Sequence, residues 1–153
     1  MKDSKKPVRP IPDGFHTVTP FLNVNGAAGL IEFIKKAFDG KVTSMVPGEE
    51  EGKVMHATMS IGDSTVMISD ATEKYAPMPS MLHLYVEDID AVYKKALDAK
   101  AETIRVPTDE FYGDRSAGVT DAWGNQWWIA THVEDVSEEE MQKRVEEFQK
   151  SEA

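Results

Sequence analysis

Four histidines, His16, His56, His83 and His132, are the side chains best suited to acid–base or ligand chemistry near neutral pH. No cysteine accompanies them, which excludes a thiol nucleophile, a thiolate metal site and a disulfide scaffold. His83 stands two residues from both Met81 and Tyr85, so in a strand the three share a face. There His83 can line a wall, touch a ligand or move a proton. His56 alternates against Met55, Ala57 and Met59 and reads as structural or solvent-facing. His16 and His132 fall at strand ends and read as surface residues. Arg115 can clamp a carboxylate or phosphonate with two N–H groups, or pair with Asp114, Asp109 or Glu110. Tyr112 adds a hydroxyl nearby. No Walker A string, G-x-S-x-G elbow, HExxH or G-x-G-x-x-G is present.

An internal repeat indicates which elements position these groups. Ile34–Lys41 recurs 59 residues later as Tyr93–Lys100, with five of the eight positions identical. A strand-like run precedes each copy, Val18–Val24 and then Met81–Val86. Three more follow each: Lys41–Val46, Val54–Ile61 and Thr65–Asp70, then Glu102–Val106, Arg115–Thr120 and Gln126–His132. Gly62-Asp63 is a good two-residue hairpin turn, and Asp121–Asn125 occupies the matching place in the second half. Asp121 and Asn125 suit turn formation through their own backbone. Helices are expected over Ala27–Phe38 and Ile89–Ala99. The spacing predicts βαβββ twice, in an α+β chain. A unit of roughly 60 residues is a poor core alone, so the modules should join.

Setting Gly62 on Gly124 aligns Ser64–Asp70 with Gln126–His132. Alternation in that alignment puts Phe21, Met55, Met59, Val66, Ile68, Met81, His83, Tyr85 and Trp128 on one face, mostly apolar, as a small-molecule pocket requires. The same face could instead be filled core or a subunit interface. Trp127 has the opposite parity and should pack under the helices, while Trp123 reads as an exposed turn residue near a partner or a ligand mouth.

Four strings carry a family resemblance: Phe21–Val24 running into Ile31–Phe38, Ile61–Ser64, His83–Asp90, and Tyr112–Arg115 followed by Asp121–Asn125. On these the chain resembles the vicinal oxygen chelate superfamily of glyoxalase I, bleomycin-resistance proteins and extradiol dioxygenases, in its PhnB-like branch. The resemblance implies two βαβββ modules whose mixed sheets curl around a cleft. It also implies a metal site from the first and last strands of each module. By register those positions are Thr19, Val66, Met81 and Trp128, which offer no divalent-metal donor set. A two-residue slip gives Phe21, His83, Ile68 and Ala130, with one ligand. The expectation is therefore no metal and no cofactor.

The function expected is a metal-free small-molecule-binding protein of the glyoxalase/bleomycin-resistance type. The alternative is a lyase-, isomerase- or dioxygenase-like enzyme of the same fold acting on a small oxygenated metabolite. Candidate ligand-binding residues are Phe21, Met59, Ile68, Met81, His83, Tyr85, Tyr112, Arg115 and Trp128. A homodimer is expected, because small members of the superfamily resemble half-clefts completed by pairing.

Composition and the chain ends bound the rest. Seventeen basic against 27 acidic residues give a charge of −10, which argues against nucleic acid. No apolar run approaches the ~20 residues of a membrane span, and the polar, Pro-rich start lacks a secretory h-region, so a cytoplasmic location is expected. The division expected is an extended tail over 1–14, modules over 15–71 and 80–133, and an acidic C-terminal segment over 134–153. That segment carries a helix from about Ser137 to Gln149, because Ser137 with Glu140 makes a capping box and Met141, Val145 and Phe148 form one thin stripe.

Overall fold

The computed structural model describes residues 6–153. The first five residues of the expected tail lie outside the described residues. The first module runs β1 (Phe21–Val24), α1 (Ala27–Phe38), β2 (Lys41–Pro47), β3 (Val54–Ile61) and β4 (Ser64–Asp70). The second runs β5 (Met81–Tyr85), α2 (Ile89–Asp98), β6 (Glu102–Asp109), β7 (Asp114–Thr120) and β8 (Gln126–His132). The C-terminal helix α3 spans Glu138–Ser151. Each module is a four-stranded mixed sheet, ordered β1-β4-β3-β2 and β5-β8-β7-β6. In each, the first strand pairs parallel with the last and the rest are antiparallel. The two βαβββ modules are as the repeat predicts. The sheets do not close into one barrel. β1 is shorter than its apolar run, because Pro20 cannot donate to a ladder.

Each helix is fixed to its own sheet by a polar side chain on the last strand. Asp70 Oδ1 accepts from the backbone N–H groups of Gly26 and Ala27 at the start of α1, at 2.9 and 3.0 Å. Its Oδ2 accepts from Val54 N–H at 2.7 Å. Burial opposes the Asp70 charge, but these three N–H bonds outweigh it and hold the carboxyl below its ordinary range. Thr131 does the matching work in module two, accepting from Ile89 N–H at 3.0 Å and donating to the Val86 carbonyl. The structural repeat therefore sets Asp70 on Thr131.

That match corrects the alignment of Asp70 with His132. The two hairpin loops differ in length, two residues in one and five in the other, so Met59 pairs with Val66 but Val119 with Trp127. A one-residue slip turns every side chain to the other face of the sheet. Met59, Val66 and Ile68 consequently lie in the core beneath α1, together with Leu22 and Ala57.

The modules meet through their helical layers. α1 packs on α2, and Trp127, wholly buried, stacks at 4.7 Å from Phe38 and 6.3 Å from Phe33 of α1. Its indole N–H donates to Asp121 Oδ2 at 2.8 Å. Asp121 also accepts from the backbone N–H groups of Trp123 and Asn125 and from the Asn125 amide, which forms the turn. Trp123 is not the exposed turn residue expected. Its ring lies across Gly29 of α1, where an added Cβ would come within 2.7 Å of it. A helical glycine costs about 0.5–1 kcal/mol relative to alanine, and here it admits the indole of the other module.

Replacing Trp127 with Ala should cost about 3–5 kcal/mol, the range for an aromatic removed from a close-packed core. Urea unfolding should show a much lower midpoint, and a change under 1 kcal/mol would contradict this account of the junction.

Candidate functional site

With α1 and α2 covering one side of each sheet, the other sides are open. On sheet one the side away from α1 carries Phe21, Met67, His56 and Thr58, of which Thr58 is buried. Phe21 pairs with Met67, Thr58 pairs with Met67, and the Phe21 and His56 rings are 5.9 Å apart. His56 is therefore on the side of the sheet away from α1, the solvent-facing alternative of its expected reading. The rest of the expected cleft divides by module. Met81, His83, Tyr85 and Trp128 share the open face of sheet two, with Met81 70% and Tyr85 66% exposed. Met59 and Ile68 do not join them, for the reason of register given above.

Trp128 is the most constrained of these. It pairs with His83 on one side and Gly118 on the other. Its ring lies against Gly118, where an added Cβ would come within 2.7 Å of the indole. Its N–H donates to Gln126 Oε1 at 3.1 Å. The indole is a half-buried aromatic plate held in one orientation. The His83 and Tyr85 rings stand 4.9 Å apart beside it.

Behind Tyr85 runs a chain of hydrogen bonds that the sequence did not disclose. The Tyr85 hydroxyl donates to Asp114 Oδ2 at 2.8 Å. Asp114 is 3% exposed. Its Oδ1 lies 2.8 Å from His132 Nδ1, and His132 Nε2 lies 2.7 Å from Asp135 Oδ1. Ionised carboxylates only accept, so the two bonds are both satisfied when His132 is protonated, and together they favour the imidazolium. The bond to Asp114, then that to Asp135, raises His132 above its ordinary 6.5. Burial of Asp114 opposes its charge, but the bonds from His132 and Tyr85 outweigh it and hold the carboxyl below its ordinary 3.8. The same bond to Asp114 raises the Tyr85 hydroxyl above 10.0. Ser116, on the same face, donates to Glu110 Oε1, which pairs with Arg105 at 3.0 Å.

Two expected site residues sit elsewhere. Arg115 faces the helix side, bidentate to Asp90 of α2 at 2.9 and 3.0 Å and bonded to Asp109 at 3.2 Å. Its parity is that of Thr131, its cross-strand partner, so it clamps α2 and does not reach the open face. Tyr112 lies in the β6–β7 turn, edge-on to Phe111 at 5.4 Å, at the margin of the face. Phe111 stacks on Phe148 of α3 at 4.8 Å, and Arg144, braced by Glu140 one turn earlier in the helix, ties α3 to Glu134 and the Phe111 carbonyl. A shallow groove of about 440 Å³ opens there, and another of about 260 Å³ lies beside Phe15 and Thr65. Neither is lined by Trp128.

The comparisons settle the lineage. The family model of the Glyoxalase/Bleomycin resistance protein/Dioxygenase superfamily matches residues 14–129. The chain belongs to that superfamily. An uncharacterized protein of Mycobacterium bovis is 35% identical over 136 residues, 82% of this chain and 89% of the other. TioX of Micromonospora sp. ML1 superposes with a TM-score of 0.63 at 18% identity, covering 76% of this chain and 99% of that one. The PhnB protein of Bacillus cereus gives 0.62 at 22%, with 76% and 99% coverage. At those identities the two structures speak for the fold alone.

Dioxygenase and glyoxalase relatives in this superfamily imply a divalent metal. In the structural register the four family positions become Thr19, Met67, Met81 and Trp128, since Met67 and not Val66 matches Trp128. Two thioethers, an indole and one hydroxyl cannot replace the hydration shell of a hard cation. Among the described residues no group of three or more His, Asp or Glu converges on one point. The residues present do not fit the metal.

The His132 ring should titrate above 6.5, read from its imidazole proton resonances, and Asp114→Asn should lower that midpoint. The raised histidine contributes stability that is complete below its unfolded value and lost as pH rises through its folded one. The lowered Asp114 contributes above 3.8, and loses that contribution as pH falls through its folded value. The stability difference between wild type and Asp114→Asn should therefore be greatest between the two ordinary values, 3.8 and 6.5, and should fall away as pH rises from 6.5 through the folded His132 midpoint; a difference independent of pH would refute the pairing.

Proposed function

We propose that this protein is a metal-free, cytoplasmic small-molecule-binding member of the superfamily, of the PhnB-like branch, and that it takes a flat organic ligand on the open face of sheet two. The observation that carries this is Trp128. An indole pinned over Gly118, with its N–H already bonded to Gln126, is a pre-organised plate beside His83, Tyr85 and Met81. Aromatic plates give planar ligands large contact area at little entropic cost. Holding such a plate in place at an uncovered surface is hard to explain by packing alone.

One sheet gives a flat ligand a single wall. We infer that a second copy supplies the other, because Phe21, Met81 and Tyr85 leave large apolar surface uncovered in the single chain. Sheet one of the partner would bring Phe21, His56 and Met67 against this face. The thin stripe of α3 at Met141, Val145 and Phe148 would add contact. Light scattering at micromolar concentration should give twice the 17.0 kDa chain mass, and a monomer would count against the second wall.

Flat bicyclic fragments added at millimolar concentration should shift the Trp128 indole resonance. Trp128→Ala, first checked for a native melting transition, should weaken their binding by about 1–3 kcal/mol, the value of one large apolar contact. Unchanged binding in the folded variant, or a stoichiometric divalent metal bound through His83, would refute the reading.

A further inference from the structure

Three donors on the open face of sheet two are committed to acceptors within the protein. The Tyr85 proton is committed to Asp114 Oδ2, the Ser116 proton to Glu110 Oε1, and the Trp128 N–H to Gln126 Oε1. Two of the acceptors are themselves fixed. Asp114 is held from its other oxygen by His132, and His132 is held by Asp135. Glu110 is held by Arg105. Asp114 cannot turn toward solvent, because it is 3% exposed, whereas Tyr85 is 66% exposed. What Tyr85 offers outward is therefore the lone pairs of its oxygen. Donation to an ionised carboxylate makes that oxygen a stronger acceptor, since hydrogen bonds in a chain polarise one another. His83 and the Gln126 amide are the adaptable groups that remain.

We propose that Tyr85 presents its hydroxyl oxygen, not its proton, to the ligand, so that this face selects flat molecules bearing an O–H or N–H over isosteres that lack one and over oxyanions. The inference rests on the binding reading above. Asp114 and His132 act through Tyr85 and are positioning residues. A methylated ligand leaves the Tyr85 oxygen unpaired beneath it, and an oxyanion sets its own lone pairs against those of Tyr85 and against the Asp114 charge behind them.

The test uses 2-naphthol, 2-methoxynaphthalene and 2-naphthoate as probes, titrated into the full chain and followed at the Trp indole and Tyr ring resonances. We expect 2-naphthol to bind about three- to tenfold more tightly than 2-methoxynaphthalene, the range for one neutral hydrogen bond, with 2-naphthoate weakest. Tyr85→Phe keeps the ring and should bring 2-naphthol and 2-methoxynaphthalene together. Asp114→Asn, whose amide can donate to Tyr85 and so free the phenolic proton, should shift preference toward 2-methoxynaphthalene. Equal or inverted affinities in wild type, with the Trp128 signal still moving, overturn the inference and leave the aromatic site standing. A preference that survives Tyr85→Phe overturns the assignment to Tyr85. No shift at Trp128 with any of the three removes the binding reading and this inference with it.

Discussion

The fold depends on one aromatic junction. Trp127 is wholly buried between two modules that are each too small to carry a core, and it touches Phe33 and Phe38 across the boundary. Its only polar atom is answered by Asp121, the residue that also shapes the adjacent turn. Trp123, from the same turn, rests on Gly29. A single hairpin of module two thus reaches into the helical layer of module one, and the apolar surface that neither module could bury alone is buried once, between them.

Joining the modules through their helices has a direct consequence for chemistry. Each sheet keeps a side away from the helices that the chain covers only in part, which leaves room there for polar groups, and the buried ones, Asp114, Ser116 and Thr58, have hydrogen-bond partners. Sheet two uses that freedom to build an ordered surface in which every fixed proton has an acceptor. Buried Asp114 anchors Tyr85 from behind, and His132 compensates the charge of Asp114. Sheet one offers a sparser face of Phe21, His56 and Met67. The superfamily's metal positions fall among two thioethers, an indole and one hydroxyl, a donor set that does not fit a hard cation.

The sequence carries the architecture because the architecture is local. The repeat, the helix spans and the turn residues all act within a few positions of one another, and Ser137 caps α3 as its spacing with Glu140 suggests. The Glu140 side chain departs from the capping box by bonding Arg144. The open face of sheet two was also legible, because His83 and Tyr85 alternate with Leu82 and Leu84, which pack against the core. Sheet one misled, since its face was copied from sheet two through the turn glycines. The hairpin itself held the correction. With Ile61 opposite Ser64 across a two-residue turn, Met59 must face Val66 and both must lie with Ala57 and Ile68.

Residue types and periodicity by themselves determined two βαβββ modules, the helices and a face shared by Met81, His83, Tyr85 and Trp128, while the superfamily was carried by the resemblance of four short strings. Only the tertiary structure decided what touches that plate. Asp114 and His132 are eighteen residues apart and meet because a five-residue loop sets the β7–β8 register. Arg115 and Asp90 are twenty-five apart and meet because α2 lies on the other side of the same strand. Pairings of that kind depend on loop lengths and on which side the helices cover. Neither is written in any short stretch of the chain.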